Sequence, residues 1–290
     1  MGKLYFMLTC FFFVLAVSAP VNAEQPARDR VFIDTGIDHT FKARIRGTDT
    51  EISTSRYSIK GSYSNFILSY DYTDYSWDRD GDAGLGTGAG DPWTGLHNIS
   101  LGARKNFFLN PEWILSLGGG VNTAFEKELS DSFGARADFS FIRIINRNWS
   151  TGIGAIGLYH PVRSRVLPVL TISYTSAVDH GLSLRLGFPE TNIRYEFNDK
   201  LAAKTYFSYS GRIYRLKNDS RVQEKGYFRD RSFKIGMEVE AKPVRAMAIT
   251  VGSYYLFERE WEIYNKNKNR SQKERIGNTP GINMNLSWNF

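Results

Sequence analysis

Cysteine is almost missing from this sequence: Cys10 alone occurs in 290 residues, and it lies within a segment read below as a cleavable leader. The remaining chain holds no disulfide, the usual support of small exported domains. Catalytic vocabulary is thin as well. There are four histidines, His39, His97, His160 and His180, and no Gly-x-Ser-x-Gly. Nucleophilic hydrolysis needs a nucleophile, a base and an orienting group within hydrogen-bond reach, and no such set is legible. Proline is scarce, at nine residues. Beyond residue 24 no apolar run is long enough for a membrane helix, and no useful stretch shows the 3.6-residue period of an amphipathic helix. The mean hydropathy of −0.36 excludes a helical membrane protein.

What is present begins with "MGKLYFMLTCFFFVLAVSAPVNA". Lys3, an apolar core from Leu4 to Val17 and the small-residue site Val21-Asn22-Ala23 make residues 1–23 a secretory signal peptide. Residues 24–290 are then the mature domain. Losing Lys3 lowers the formal net charge from +7 to +6. Export and the dispersal of the charges speak against nucleic acid; anionic lipid headgroups or solutes suit such a balance better.

The mature chain alternates apolar and polar residues almost throughout, the period of a strand with two unlike faces. Val31, Ile33, Thr35 and Ile37 oppose Asp34 and Asp38; Leu182, Leu184 and Leu186 oppose Ser183 and Arg185; Phe233, Ile235, Met237 and Val239 oppose Lys234, Glu238 and Glu240. Short connections such as Gly61–Asn65 and Asn198–Lys200 alternate with longer ones, among them Asp78–Pro92 and Arg259–Arg275. Turns on one rim and loops on the other describe an up-and-down antiparallel barrel. A soluble sandwich would alternate too. Aromatics near strand ends, charged residues on the opposite faces and the leader favour a transmembrane β-barrel, all-β and closed, because lipid tolerates only structures that pair every backbone group. The strands number about fourteen, with twelve as the alternative. The parity of "WSTGIGAIGLYH" is ambiguous, and a slip near Ile142–Ile145 suggests a bulge.

The last residues, "INMNLSWNF", resemble the C-terminal signal of Gram-negative outer-membrane barrels, alternating and ending on a terminal Phe. The resemblance implies outer-membrane location, contact with outer-membrane lipids, and reading of Trp288 and Phe290 by the barrel-assembly machinery. A second resemblance rests on Leu167-Pro168, Gly187-Phe188-Pro189 and Ile193-Arg194-Tyr195. These are similar to a family of uncharacterised bacterial outer-membrane proteins, a domain of unknown function, which supports fold and location and assigns no activity.

Strand parity turns Arg185, Arg194, Lys204 and Arg212 inward on three sequential strands, and Asp34, Asp38, Glu238 and Glu240 inward from strands nearer the closing seam. A basic arc opposite acids makes a transverse field that selects polar solutes, as charged rings do in pores. The expected function is a passive channel for small hydrophilic solutes, anionic ones among them. The alternative is a closed barrel acting through the loops Asp78–Pro92 and Arg259–Arg275. An outer-membrane enzyme is a distant third. No catalytic residue, cofactor or metal is expected: Asp78, Asp80, Asp82 and Asp91 have calcium-ligand chemistry, but their spacing matches no EF-hand.

Overall fold

The computed structural model describes residues 31–78, 85, 90–178 and 180–290. The leader, Asp80 and Asp82 lie outside the described residues. Fifteen strands follow in chain order: β1 (Val31–Arg44), β2 (Glu51–Tyr63), β3 (Phe66–Asp78), β4 (Gly95–Asn110), β5 (Trp113–Phe125), β6 (Phe133–Ile144), β7 (Trp149–Tyr159), β8 (Arg165–Thr175), β9 (Gly181–Phe188), β10 (Glu190–Asn198), β11 (Leu201–Arg215), β12 (Tyr227–Val244), β13 (Met247–Tyr264), β14 (Arg270–Ile276) and β15 (Thr279–Asn289). Each pairs antiparallel with its neighbour in sequence, save that β13 pairs with both β14 and β15. β1 closes the ring against β15, from Phe32 opposite Asn289 to Thr40 opposite Gly281. Fourteen strands therefore form a closed barrel, and β14 continues the line of β15 up the taller end of β13.

Closure explains why the chain's end does not fray. Phe290 N–H donates to the Val31 carbonyl at 2.9 Å, and the Trp288 and Phe290 rings lie 6.0 Å apart. Both described ends thus sit on the short-turn rim. The outward face carries a band of exposed apolar residues, including Leu68, Val121, Ile153, Met237 and Val251. This is the surface a bilayer requires of a barrel.

Two expectations change, and one ambiguity is resolved. Arg259–Arg275 is no loop: Arg259–Tyr264 extends β13 and pairs with β14 in a hairpin. The alternation of Trp261 and Ile263 with Glu260 and Glu262 drives this, since both apolar residues are buried. No bulge occurs at Ile142–Ile145, where β6 pairs regularly with β5 and β7. Ile142 and Ile144 share the lumen face with Asp138 and Ser140, which breaks the pattern without breaking the ladder. On β7 the lumen face is Gly152, Gly154, Ile156 and Leu158, set opposite Ile142, Ser140, Asp138 and Arg136. Apolar residues on both sides made its parity ambiguous.

The aromatics near strand ends also divide. Phe66, Phe108, Tyr159 and Phe197 are exposed at the belt's margins. Tyr75, Trp93, Tyr214, Phe228 and Trp261 instead form a buried core inside the long-loop rim, with Ile52, Leu96, Ala124, Leu216, Ile263 and Ile276. Trp93 and Phe228 stand 4.3 Å apart, and Trp261 contacts both.

Candidate functional site: the lumen

The core has a direction. Its members come from β1–β5 and β11–β14 and the loops between them, and none from β6–β10. The cause is a chord across the outer opening. Arg215 at the tip of β11 bridges to Phe125 at the tip of β5, although five strands of wall, β6–β10, separate them. Glu126 N–H donates to the Arg215 carbonyl at 2.8 Å, and the Glu126 carboxylate accepts from Lys217 N–H at 3.0 Å. One half of the outer mouth is therefore sealed by aromatic packing.

The other half keeps space. A cavity of about 520 Å³ lies along β4–β8 and β11. Asn98, Asn122, Arg136, Asp138, Arg165 and Arg212 are among its lining residues. Asp138 accepts from Arg104 at 2.6 Å and from Arg136 at 2.9 Å, so two guanidinium groups share one carboxylate. Arg165 donates to Tyr209 Oη at 2.9 Å and has no acid partner among the described residues. Sequence reasoning missed Arg104, Arg136 and Arg165, although each stands at lumen parity in its strand.

All eight charged residues expected at the wall stand on the lumen face, and three of them are in register across adjacent strands, Arg194 opposite Lys204 and Lys204 opposite Glu238, while Asp38 stands opposite Arg56. The expected transverse separation of a basic arc from acids does not exist. Arg194 reaches over Ala202, whose small side chain is buried beneath it, to bind Glu240 through both Nη atoms at 2.8 and 3.1 Å. Lys204 pairs with Glu238 at 2.7 Å, and Glu238 also accepts from Asn283 at 2.9 Å. Arg212 crosses the lumen to Asp71 on β3 at 3.1 Å. Asp38 holds Arg56 at 2.6 Å and Lys234 at 3.0 Å. Arg185 alone of the basic four makes no ion pair among the described residues and is exposed. Asp34 sits half-buried near the short-turn mouth, opposite Lys60.

Tyrosine rings fill the lumen between these pairs. Tyr206 lies over Gly236, where an added Cβ would come within 2.6 Å of the ring, so glycine there makes room for the aromatic. Lys234 stands 3.8 Å from the Tyr254 ring centroid, a cation–π contact that adds to its pairing with Asp38.

Among the described residues no histidine is joined to both a hydroxyl and a carboxylate. His39 Nδ1 lies 3.0 Å from Ser55 Oγ on the outward face, while Asp38 points into the lumen. His97 stacks among outward tyrosines. His180 lies 3.7 Å from Asp199 at the short-turn rim. His160, in the loop after β7, is buried against Tyr227, and its Nδ1 accepts from Val162 N–H at 3.2 Å. Burial and the nearby Lys268 push its pKa down to about 4. A histidine that binds fewer protons folded than unfolded makes stability rise with pH. The barrel should accordingly lose up to about 3 kcal/mol as pH falls from 6.5 to 4. Unfolding midpoints in detergent across that range test this: His160→Gln should flatten the dependence, and an unchanged slope would contradict it.

Above the belt, Glu262 on the raised part of β13 accepts from Tyr264 at 2.8 Å, Arg229 at 2.5 Å and Arg270 at 3.2 Å. Burial works against its charge, but these donors prevail and hold its pKa at about 2. Among the described residues no group of three His, Cys, Asp or Glu could hold a metal ion.

A family model described as "Domain of unknown function (DUF6268)" matches residues 93–290. The chain belongs to this family. None of the curated proteins matches the sequence. Among solved structures, the COG4313 outer membrane channel from Pseudomonas putida F1 is similar at 11% identity and a TM-score of 0.47, covering 94% of this chain and 99% of that one. A Pseudomonas aeruginosa FadL homologue is similar at 10% identity and 0.43, with 90% of each chain covered. The KdgM porin gives 10% and 0.37, covering 89% of this family member and 99% of the porin.

Proposed function

We propose that this DUF6268 barrel resides in the outer membrane after removal of residues 1–23. There it acts as a passive channel for small hydrophilic solutes. The observation that carries the reading is the off-centre cavity along β4–β8 and β11, outside the aromatic seal, whose lining includes several guanidinium groups. Arg104, Arg136 and Arg165 line it together with a single carboxylate, Asp138, which Arg104 and Arg136 bind. A wall of this sign favours anions. The paired residues Arg194, Lys204, Glu238 and Glu240 brace the lumen in this reading, and Arg185 contributes uncompensated charge.

Conductance of the refolded mature barrel in a planar bilayer is the test. An open current with anion preference is expected. Arg185→Glu and Arg165→Glu should move selectivity toward cations more than Lys204→Glu, whose site already holds Glu238. A folded barrel without current would sink the channel and favour the second reading, a closed barrel acting at its outer surface. The observation behind that alternative is the seal itself, since the β5–β11 chord shuts half of the outer mouth. It would act through the loop at Asp78–Pro92 and the raised β13–β14 hairpin.

A further inference from the structure

The outer face of the β13–β14 hairpin carries a second concentration of charge, away from the lumen. A polar cleft of about 170 Å³ is lined there by Arg46, Arg231, Glu258, Glu260, Lys273 and Arg275, among others. Glu260 Oε2 holds Arg231 at 2.6 Å and Lys273 at 2.7 Å. Burial opposes the charge of Glu260, yet its bonds from Lys273 and Arg231 keep its carboxyl below the ordinary range. It is thus a fixed anion that orders two cations at the cleft. Arg46 and Arg275 are exposed and have no carboxylate partner among the described residues; the Arg46 backbone N–H donates to the Arg275 carbonyl at 2.9 Å, which fixes the two side chains near each other. Arg259 lines it too, so five cations against Glu258 and Glu260 leave the cleft with an excess of three positive charges.

Its height matters as much as its sign. Phe233 and Phe257 are cross-strand neighbours, their rings 5.7 Å apart, one step below Arg231 and Glu260. Below them Ile235, Met237, Val239, Val251 and Tyr255 form an exposed apolar strip on the same two strands. A cationic cleft directly above such a strip matches an amphiphile whose anionic headgroup and apolar chains lie at the same separation.

We propose that this cleft binds the phosphorylated sugar headgroup of an outer-leaflet lipid, whose acyl chains lie on the β12–β13 strip. Arg46, Arg275 and Lys273 contact the phosphate, and Glu260 positions Arg231 and Lys273 rather than touching the lipid. The site is independent of whether the lumen conducts.

Native mass spectrometry of the detergent-purified mature barrel tests it, with lipid A (an acylated, bis-phosphorylated disaccharide) as the probe. Wild-type barrel should retain lipid A at least about tenfold more than its dephosphorylated form, and the preference should weaken at high salt. Arg46→Ser/Arg275→Ser removes two cations that no carboxylate needs, so heat-modifiable mobility should stay normal while lipid A retention falls about tenfold. Equal retention of both lipids, or a double variant that binds as wild type, overturns the proposal. A soluble glucosamine phosphate without acyl chains should bind far more weakly; equal affinity would show a solute site and overturn the assignment to a lipid.

Discussion

Trp261→Ala should destabilise the barrel by about 3–5 kcal/mol, the range for removing a large buried aromatic, and should also raise its conductance. Trp261 is fully buried, with its ring 5.1 Å from Phe228, 5.5 Å from Trp93 and 5.8 Å from Trp77. Its Nε1–H donates to Asp230 at 3.1 Å. Alanine would leave a void at the centre of the seal and strip a donor from a carboxylate inside the lumen. A void next to a polar tier fills with water, so the closed half of the outer mouth should begin to pass ions. Urea midpoints of refolded barrel and single-channel current measure the two effects separately. A loss below 1 kcal/mol with unchanged current would mean that the aromatic cluster neither supports nor closes the barrel.

A loss of comparable size is expected from Asp38→Ala, for a different reason. Asp38 binds both Arg56 and Lys234, and Arg212 crosses the same lumen to Asp71. Removing this acid takes from both cations the carboxylate that they bind, leaving only the more distant Asp71 and Glu238 to attract them. Breaking a buried ion pair from one side costs about 3–5 kcal/mol, more than the intact pair itself contributes. Changing Lys234 to Met in the Asp38→Ala background should therefore recover part of the loss. If the double variant is less stable than Asp38→Ala by the full cost of a second core substitution, the two residues act independently and the account fails.

Much of the barrel is written in local alternation, because each strand meets lipid on one face and water or polar neighbours on the other. Phe66, Leu68 and Asp71 on β3 need no tertiary information to be sorted. The same rule hides the seal. Tyr75 and Trp77 continue β3 at lumen parity, and Phe228 and Trp261 do so on β12 and β13. An aromatic at a strand end looks identical from the sequence whether it anchors in the headgroup layer or packs across the mouth. The β14 hairpin was obscured by Asn265–Asn269, a polar turn inside a charged segment. Ion-pair partners were the least legible, since Arg212–Asp71 depends on which strands lie across from each other, and Arg194–Glu240 on the smallness of Ala202. The cavity-side Arg104, Arg136 and Arg165 had the right parity but no ordering signal to separate them from other lumen cations.

The meeting of Phe290 with Val31 has a kinetic side. Every ladder of the ring joins strands that follow closely in the chain, except β1 with β15, where Thr35 Oγ1 and the Leu286 carbonyl are 251 residues apart in sequence. Hairpins can form as they are released, each with a short loop to close, whereas the seam must wait for the final residues. Until then the growing sheet has two unpaired edges and no way to satisfy them in lipid. Assembly should therefore be all-or-none in the last strand: a chain shortened by β15 would forfeit the membrane-inserted state, while keeping most of the pairings that β1–β13 make among themselves.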